Sequence, residues 1–144
     1  MQEIQTEIFI NAPIEKVWAV LTDLHAYSAW NPFICKVEGN LQLDSPLTVT
    51  VQPAGQKPMS FRSKIDSLGE YEFSWLGGVG IPGIFKGLHR FKLEKNANNQ
   101  VKFIHSERFS GILHWPILYM IGKSTREGFV NMNQALKERC ETES

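Results

Sequence analysis

The chain predicts an α+β domain: a curved antiparallel sheet of about seven strands around a long C-terminal helix, with two short helices after the first strand. Three observations carry that expectation. Residues 34–110 break into short runs at hairpin spacing, punctuated by glycine, proline and asparagine clusters. One long stretch with helical spacing, Pro116 to about Arg139, follows them. The 144 residues contain no repeat, low-complexity tract or linker-like shift in composition, so they read as a single domain, 1–144.

Each element has a local cause. Residues 3–10 alternate as a first strand should. In the following "NAPIEKVWAVLTDL", Asn11 is placed to N-cap, Pro13 suits the first turn, and Glu15 puts a carboxylate where a helix start favours one. Ile14, Val17, Trp18 and Leu21 supply the apolar stripe. "HAYSAW" forms a second short helix, ended at Asn31 because a residue before proline avoids the helical region. Strands then alternate with breaks at Gly39-Asn40, Pro53 to Gly55, Ser67 to Gly69, Gly77 to Gly83 and Asn96 to Asn99. Pro116 opens the last helix, with Leu118, Ile121, Thr125, Phe129, Met132 and Leu136 three or four apart. An antiparallel sheet needs its apolar face covered, and this helix is the only long element available.

Composition excludes several functions. Lys plus Arg equals Asp plus Glu at 15 each, so no global field draws the chain to nucleic acid or an anionic membrane. Basic residues on the strand exteriors alternate with Glu70, Glu72 and Glu94, a pattern suited to cross-strand ion pairs. Cys35 and Cys140 lie far apart and form no CxxC site, which fits a reduced, cytoplasmic protein. "MQEIQTEIFI" lacks the features of a secretion signal, and the apolar run Trp115 to Ile121 is too short for stable membrane insertion. No serine sits in a GxSxG setting, and neither cysteine has a histidine-paired context.

"INAPIEKVWAVLTDLHAYSAWNPFI", "GIPGIFKGLHRFKLE", "FIHSERFSGIL" and "STREGFVNMNQALK" resemble successive blocks of the START-like SRPBCC superfamily, in its polyketide cyclase/dehydrase-like branch. The resemblance keeps order and spacing over nearly the whole chain. It implies a helix-grip fold with a deep hydrophobic cavity between the sheet and the C-terminal helix. It leaves the activity open, because one fold hosts many functions.

One strand breaks the apolar rule. In "VKFIHSERFSG", Val101, Phe103, His105, Glu107 and Phe109 share a face, so a histidine and a glutamate stand among aromatics. In the partner run "FKGLHRFKLEK", Phe85, Gly87, His89, Phe91 and Leu93 share a face, and Lys86, Arg90, Lys92 and Glu94 point to solvent. Two registers keep the apolar faces together, placing His89 opposite His105 or opposite Glu107. The cluster is either a self-satisfied core network or a ligand-contacting, acid–base site, with His89, Glu107 and His105 as catalytic candidates. An imidazole beside a carboxylate is expected to titrate above its usual value of ~6.5.

The expected ligand-binding wall comprises Phe61, Phe73, Trp75, Phe85, His89, Phe91, Phe103, His105 and Glu107 from the sheet. Ile121, Thr125, Phe129 and Met132 face them from the helix. Pockets of this kind typically enclose about 300–1,000 Å³. The glycine-rich "WLGGVGIPGIFKG" lacks the lysine of a phosphate loop and reads as a lid, with Ile81, Ile84 and Phe85 at the pocket entrance. No metal site and no cofactor are expected, since HxH and HxxxH pairs are missing. The leading expectation is a protein that binds or carries a hydrophobic small molecule, a lipid or polycyclic aromatic. The alternatives are a cyclase or dehydratase using a His–Glu pair, and a protein-interaction module with a filled cavity. No specific protein partner is indicated.

Overall fold

The computed structural model describes residues 2–79, 85–97, 99–111 and 114–142, with the backbone alone described at 79 and 114–121. Strand β1 (Gln2–Ile10) leads into helix α1 (Ile14–Thr22), a 3₁₀ turn (Leu24–Ala26) and helix α2 (Tyr27–Trp30). Strands β2 (Ile34–Gly39), β3 (Pro46–Val51), β4 (Met59–Gly69), β5 (Glu72–Val79), β6 (Phe85–Ala97) and β7 (Gln100–Ser110) follow, and helix α3 (His114–Thr142) ends the chain. All seven strands join one antiparallel sheet in the order β1-β7-β6-β5-β4-β3-β2. This is the helix-grip arrangement that the element order implied.

Local chemistry explains the boundaries, with two departures from the sequence reading. Asn11 does not cap α1. Pro13 holds the cap position in an extended conformation, and its carbonyl accepts from the amides of Lys16 and Val17. The Asn11 amide instead donates to Glu141 Oε2 at 2.7 Å, tying the end of β1 to the end of α3. Lys137 meets the same oxygen at 2.6 Å, and together these bonds hold the Glu141 carboxyl below its ordinary range. The second departure concerns the glycine-rich run. Gly77 and Gly78 lie within β5 and Gly87 within β6, so these glycines are strand residues and not loop. Residues 80–84, where the expected lid would lie, fall outside the described residues.

The helix α3 buries Thr125, Phe129, Met132, Asn133, Leu136 and Cys140, one stripe at spacings near 3.6. That stripe seals the inner face of the sheet. Phe73, Phe91 and Phe103 are at most 1% exposed there, and Phe73 and Phe91 stack at 4.6 Å. Trp18 of α1 closes one side, edge-on to Tyr71 and Phe73. On the outer face the charges pair along and between strands, as Lys92 with Glu94 and Lys102 with Glu7. Among the described residues no helix is long and apolar enough to cross a membrane.

Candidate functional site

A cavity of about 80 Å³ opens beside the inner face of β4–β7. Its apolar walls come from Phe33, Val49, Val51, Phe61, Trp75, Phe85 and Phe109, and Thr125 faces it from α3. Ser63, His89 and Glu107 provide polar groups in the wall. Backbone close approach creates this hollow. Gly77 and Gly87 are cross-strand partners on the inner face, next to the Trp75–His89 pair, so neither strand adds a side chain of its own at that level. A Cβ on Gly77 would lie 2.6 Å from Ser63 Oγ, and a Cβ on Gly87 would overlap the Glu107 carboxyl.

The register places His89 opposite Glu107 and Phe91 opposite His105. Side chains bond on the diagonal nevertheless. His89 Nε2 and His105 Nε2 lie 2.6 Å apart, while His89 Nδ1 stands 3.7 Å from Glu107 Oε1, beyond hydrogen-bonding distance. The partner of His89 is therefore His105, and Glu107 is not satisfied by His89 as expected. His105 Nδ1 lies 2.8 Å from Asn133 Oδ1 of α3. Asn133 Nδ2 donates to Thr6 Oγ1 of β1 at 2.8 Å, and the Thr6 hydroxyl donates to the His105 carbonyl at 3.2 Å. Four residues on four elements thus form one polar file from the cavity wall to the edge strand β1.

Aromatic rings enclose this file. His105 stacks on Phe129 with centroids 4.0 Å apart, and His89 stacks on Phe91 at 4.6 Å. Burial therefore lowers the affinity of both imidazoles for protons: His105 falls to about 3, against the opposing pull of its bond to Asn133. His89 is lowered well below its ordinary value, first by burial and then by His105. The expectation of a raised imidazole is overturned, because burial disfavours the charged ring and His89 does not bond the Glu107 carboxyl. Glu107 moves the other way, with burial pushing its carboxyl up to about 8. Its side chain is 19% exposed, and it lines the cavity. Burial thus favours the uncharged form of all three groups in the wall, the two imidazoles and the carboxylic acid.

The structure sorts the expected wall residues into two groups. Phe61, Trp75, Phe85, His89, Glu107 and Thr125 border the cavity. Phe73, Phe91, Phe103, His105, Phe129 and Met132 instead pack in the solid core, each at most 1% exposed. The side chain of Ile121 lies outside the described residues. The cavity is also well below the expected volume, since core aromatics fill the space between sheet and helix. Sequence reasoning missed Phe33, Ser63, Gly77 and Gly87 as cavity-forming residues, and Thr6 and Asn133 as members of the polar file. The last two had a visible signal, because each is a polar residue on an otherwise apolar stripe. The facing Nε2 atoms stand closer than two ligands of one metal would, roughly 3.3 Å for tetrahedral zinc.

Residues 1–46 match the family model described as polyketide cyclase/dehydrase and lipid transport. No protein of curated function matches the sequence. Among solved structures, an aromatase/cyclase from Streptomyces sp. R1128 is similar at TM-score 0.78 and 15% identity, covering 97% of this chain and 93% of that one. A START superfamily protein from Mycobacterium smegmatis is similar at TM-score 0.72 and 20% identity, covering 96% and 97%. A hypothetical protein from Helicobacter pylori reaches TM-score 0.79 at 13% identity, covering 96% and 88%. The chain has the START-like SRPBCC fold.

Proposed function

We propose that this protein binds a hydrophobic small molecule, a lipid or polycyclic aromatic, with its apolar body against Phe61, Trp75 and Phe85 and a polar group at Glu107 and His89. The observation that carries the reading is the glycine-lined hollow at Glu107. A carboxyl that served only as core filling would be bonded on both oxygens, whereas this one approaches His89 without bonding it and borders open space. The family model and the solved structures support a ligand-binding reading at the level of the fold.

Volume sets a condition on that binding. Roughly 150 Å³ admits benzene into an engineered core, so a cavity of about 80 Å³ takes a ring only if its walls give way. Titration with 2-naphthol tests the reading, followed by calorimetry and by amide shifts in a labelled sample. Saturable binding with a negative heat-capacity change is expected, with shifts confined to β4–β7 and the facing part of α3. Shifts scattered over the surface, or no saturation, would count against it.

The same pair supports a second reading, dehydration of a β-hydroxy ketone. His89 Nδ1 would take the α-proton as Glu107 donates its proton to the departing hydroxyl; C–H and C–O bonds break, C=C forms and water leaves. Enone absorbance that grows with the wild type and is lost in Glu107→Gln would favour it. Binding without enone growth leaves the carrier reading.

A further inference from the structure

We infer that Thr6 and Asn133, although outside the cavity wall, fix the hydrogen-bond polarity of that wall, so that His89 Nδ1 is a permanent acceptor and the pocket selects neutral ligands carrying a hydroxyl donor. This rests on the binding reading above and adds the ligand's chemistry. The polarity follows link by link from atoms that can act in only one sense. A carbonyl oxygen only accepts, so the Thr6 hydroxyl spends its single proton on the His105 carbonyl. Thr6 Oγ1 is then an acceptor, and the Asn133 group facing it is the amide NH₂. That leaves Asn133 Oδ1 facing His105 Nδ1, and Oδ1 only accepts, so Nδ1 carries the proton.

A neutral His105 then has a bare Nε2. His89 Nε2, 2.6 Å away, must donate to it. A neutral His89 so committed has a bare Nδ1, on the side of Glu107 and the cavity. Both rings are neutral because both are buried between aromatics, His105 at 0% and His89 at 4% exposure. The 3.7 Å gap between His89 Nδ1 and Glu107 leaves the acceptor open to a ligand's O–H, and the carboxylic acid beside it can donate to the same ligand oxygen. An ether offers His89 no proton. A carboxylate would bring an uncompensated charge into an uncharged wall. Thr6 and Asn133 are thus positioning residues that act through His105.

Two-bond ¹H–¹⁵N correlation of the imidazole rings in the labelled full chain reads the tautomers directly, and His25→Asn and His114→Asn variants simplify assignment. The expected pattern is an Nδ1–H tautomer at His105 and an Nε2–H tautomer at His89. In Thr6→Val the amide of Asn133 is free to turn over, and the reversed pair of tautomers should appear; Thr6→Ser should restore the original. Asn133→Leu gives a second variant, with His105 expected to lose its single-tautomer signature. The opposite tautomers in the wild type, or no change in both Thr6→Val and Asn133→Leu, would overturn the inference.

Ligand preference is the second readout. 2-Naphthol should bind about fivefold or more tighter than 2-methoxynaphthalene, the worth of one neutral hydrogen bond, and 2-naphthoate more weakly still. The preference for naphthol over the ether should shrink toward unity in Thr6→Val and return in Thr6→Ser. Equal affinities of the three in the wild type would overturn the selectivity and leave hydrophobic binding standing. If none of the three binds, the binding reading fails with the selectivity, while the tautomer assignment stands or falls by the spectra alone.

Discussion

Glu107 and His105 are displaced in opposite directions by the same cause, and this gives the fold a distinctive pH dependence. The Glu107 carboxyl is held at about 8 in the fold against 4.5 for the free group. As pH rises from 4.5 to 8 the unfolded chain releases that proton while the folded chain keeps it, so stability declines across this window. His105 sits at about 3 against 6.5, so its contribution is full above 6.5 and is lost as pH falls toward 3. Stability should therefore peak in mildly acidic solution. Glu107→Gln removes only the alkaline loss. It should raise stability relative to the wild type by about 2–4 kcal/mol at pH 8, and change it little at pH 4.5. Denaturant unfolding at the two pH values measures the difference; an equal effect at both would mean that Glu107 is ionised in the fold.

At the scale of elements, glycines determine where strands and helix approach one another. Gly87 has no unusual backbone angle, so alanine there would ordinarily favour a strand. Here its methyl would enter the space of the Glu107 carboxyl. Gly87→Ala should cost about 1–3 kcal/mol, and less in a Glu107→Ala background, which a double-mutant cycle would expose as coupling. Gly128 repeats the logic on α3. Alanine normally gains about 1 kcal/mol over glycine in a helix, but at Gly128 a Cβ would overlap the Phe33 ring at the cavity wall. Gly128→Ala should fail to stabilise the protein and should weaken 2-naphthol binding by shifting Phe33; increased thermal stability with unchanged binding would show that the ring moves away freely. Contacts of this kind explain what the sequence could and could not reveal. Alternation placed His89, His105 and Glu107 on one face, and helical spacing placed Thr125, Phe129 and Met132 opposite. Neither periodicity reports that His89 bonds diagonally to His105, or that Phe73, Phe91 and Phe103 close into solid core while Phe61 and Trp75 border space. Those outcomes depend on strand register and on which positions lack a Cβ, and a face assignment does not contain them.

For the whole molecule, the fold predicts how binding should depend on ligand size. The sheet grips α3 through a filled aromatic core, and among the described residues a hollow of about 80 Å³ lies beside it. Close packing makes that core resist expansion, so a ligand larger than the hollow must displace wall residues as a unit. Phenol, as a single ring, should need the smallest displacement of the wall. 2-Naphthol and a three-ring phenol should associate progressively more slowly, at rates that level off with ligand concentration as the opening of the wall becomes limiting. Trp75→Ala removes the largest side chain of the wall and tests the same idea from the other side. It should destabilise the fold by about 3–5 kcal/mol, the usual cost of emptying a buried aromatic site. It should also abolish the rate plateau for 2-naphthol, because the opened space replaces the motion. Stopped-flow association with the three ligands, on wild type and Trp75→Ala, distinguishes this from a permanently open pocket, in which all three would bind at rates linear in concentration and the variant would change affinity alone.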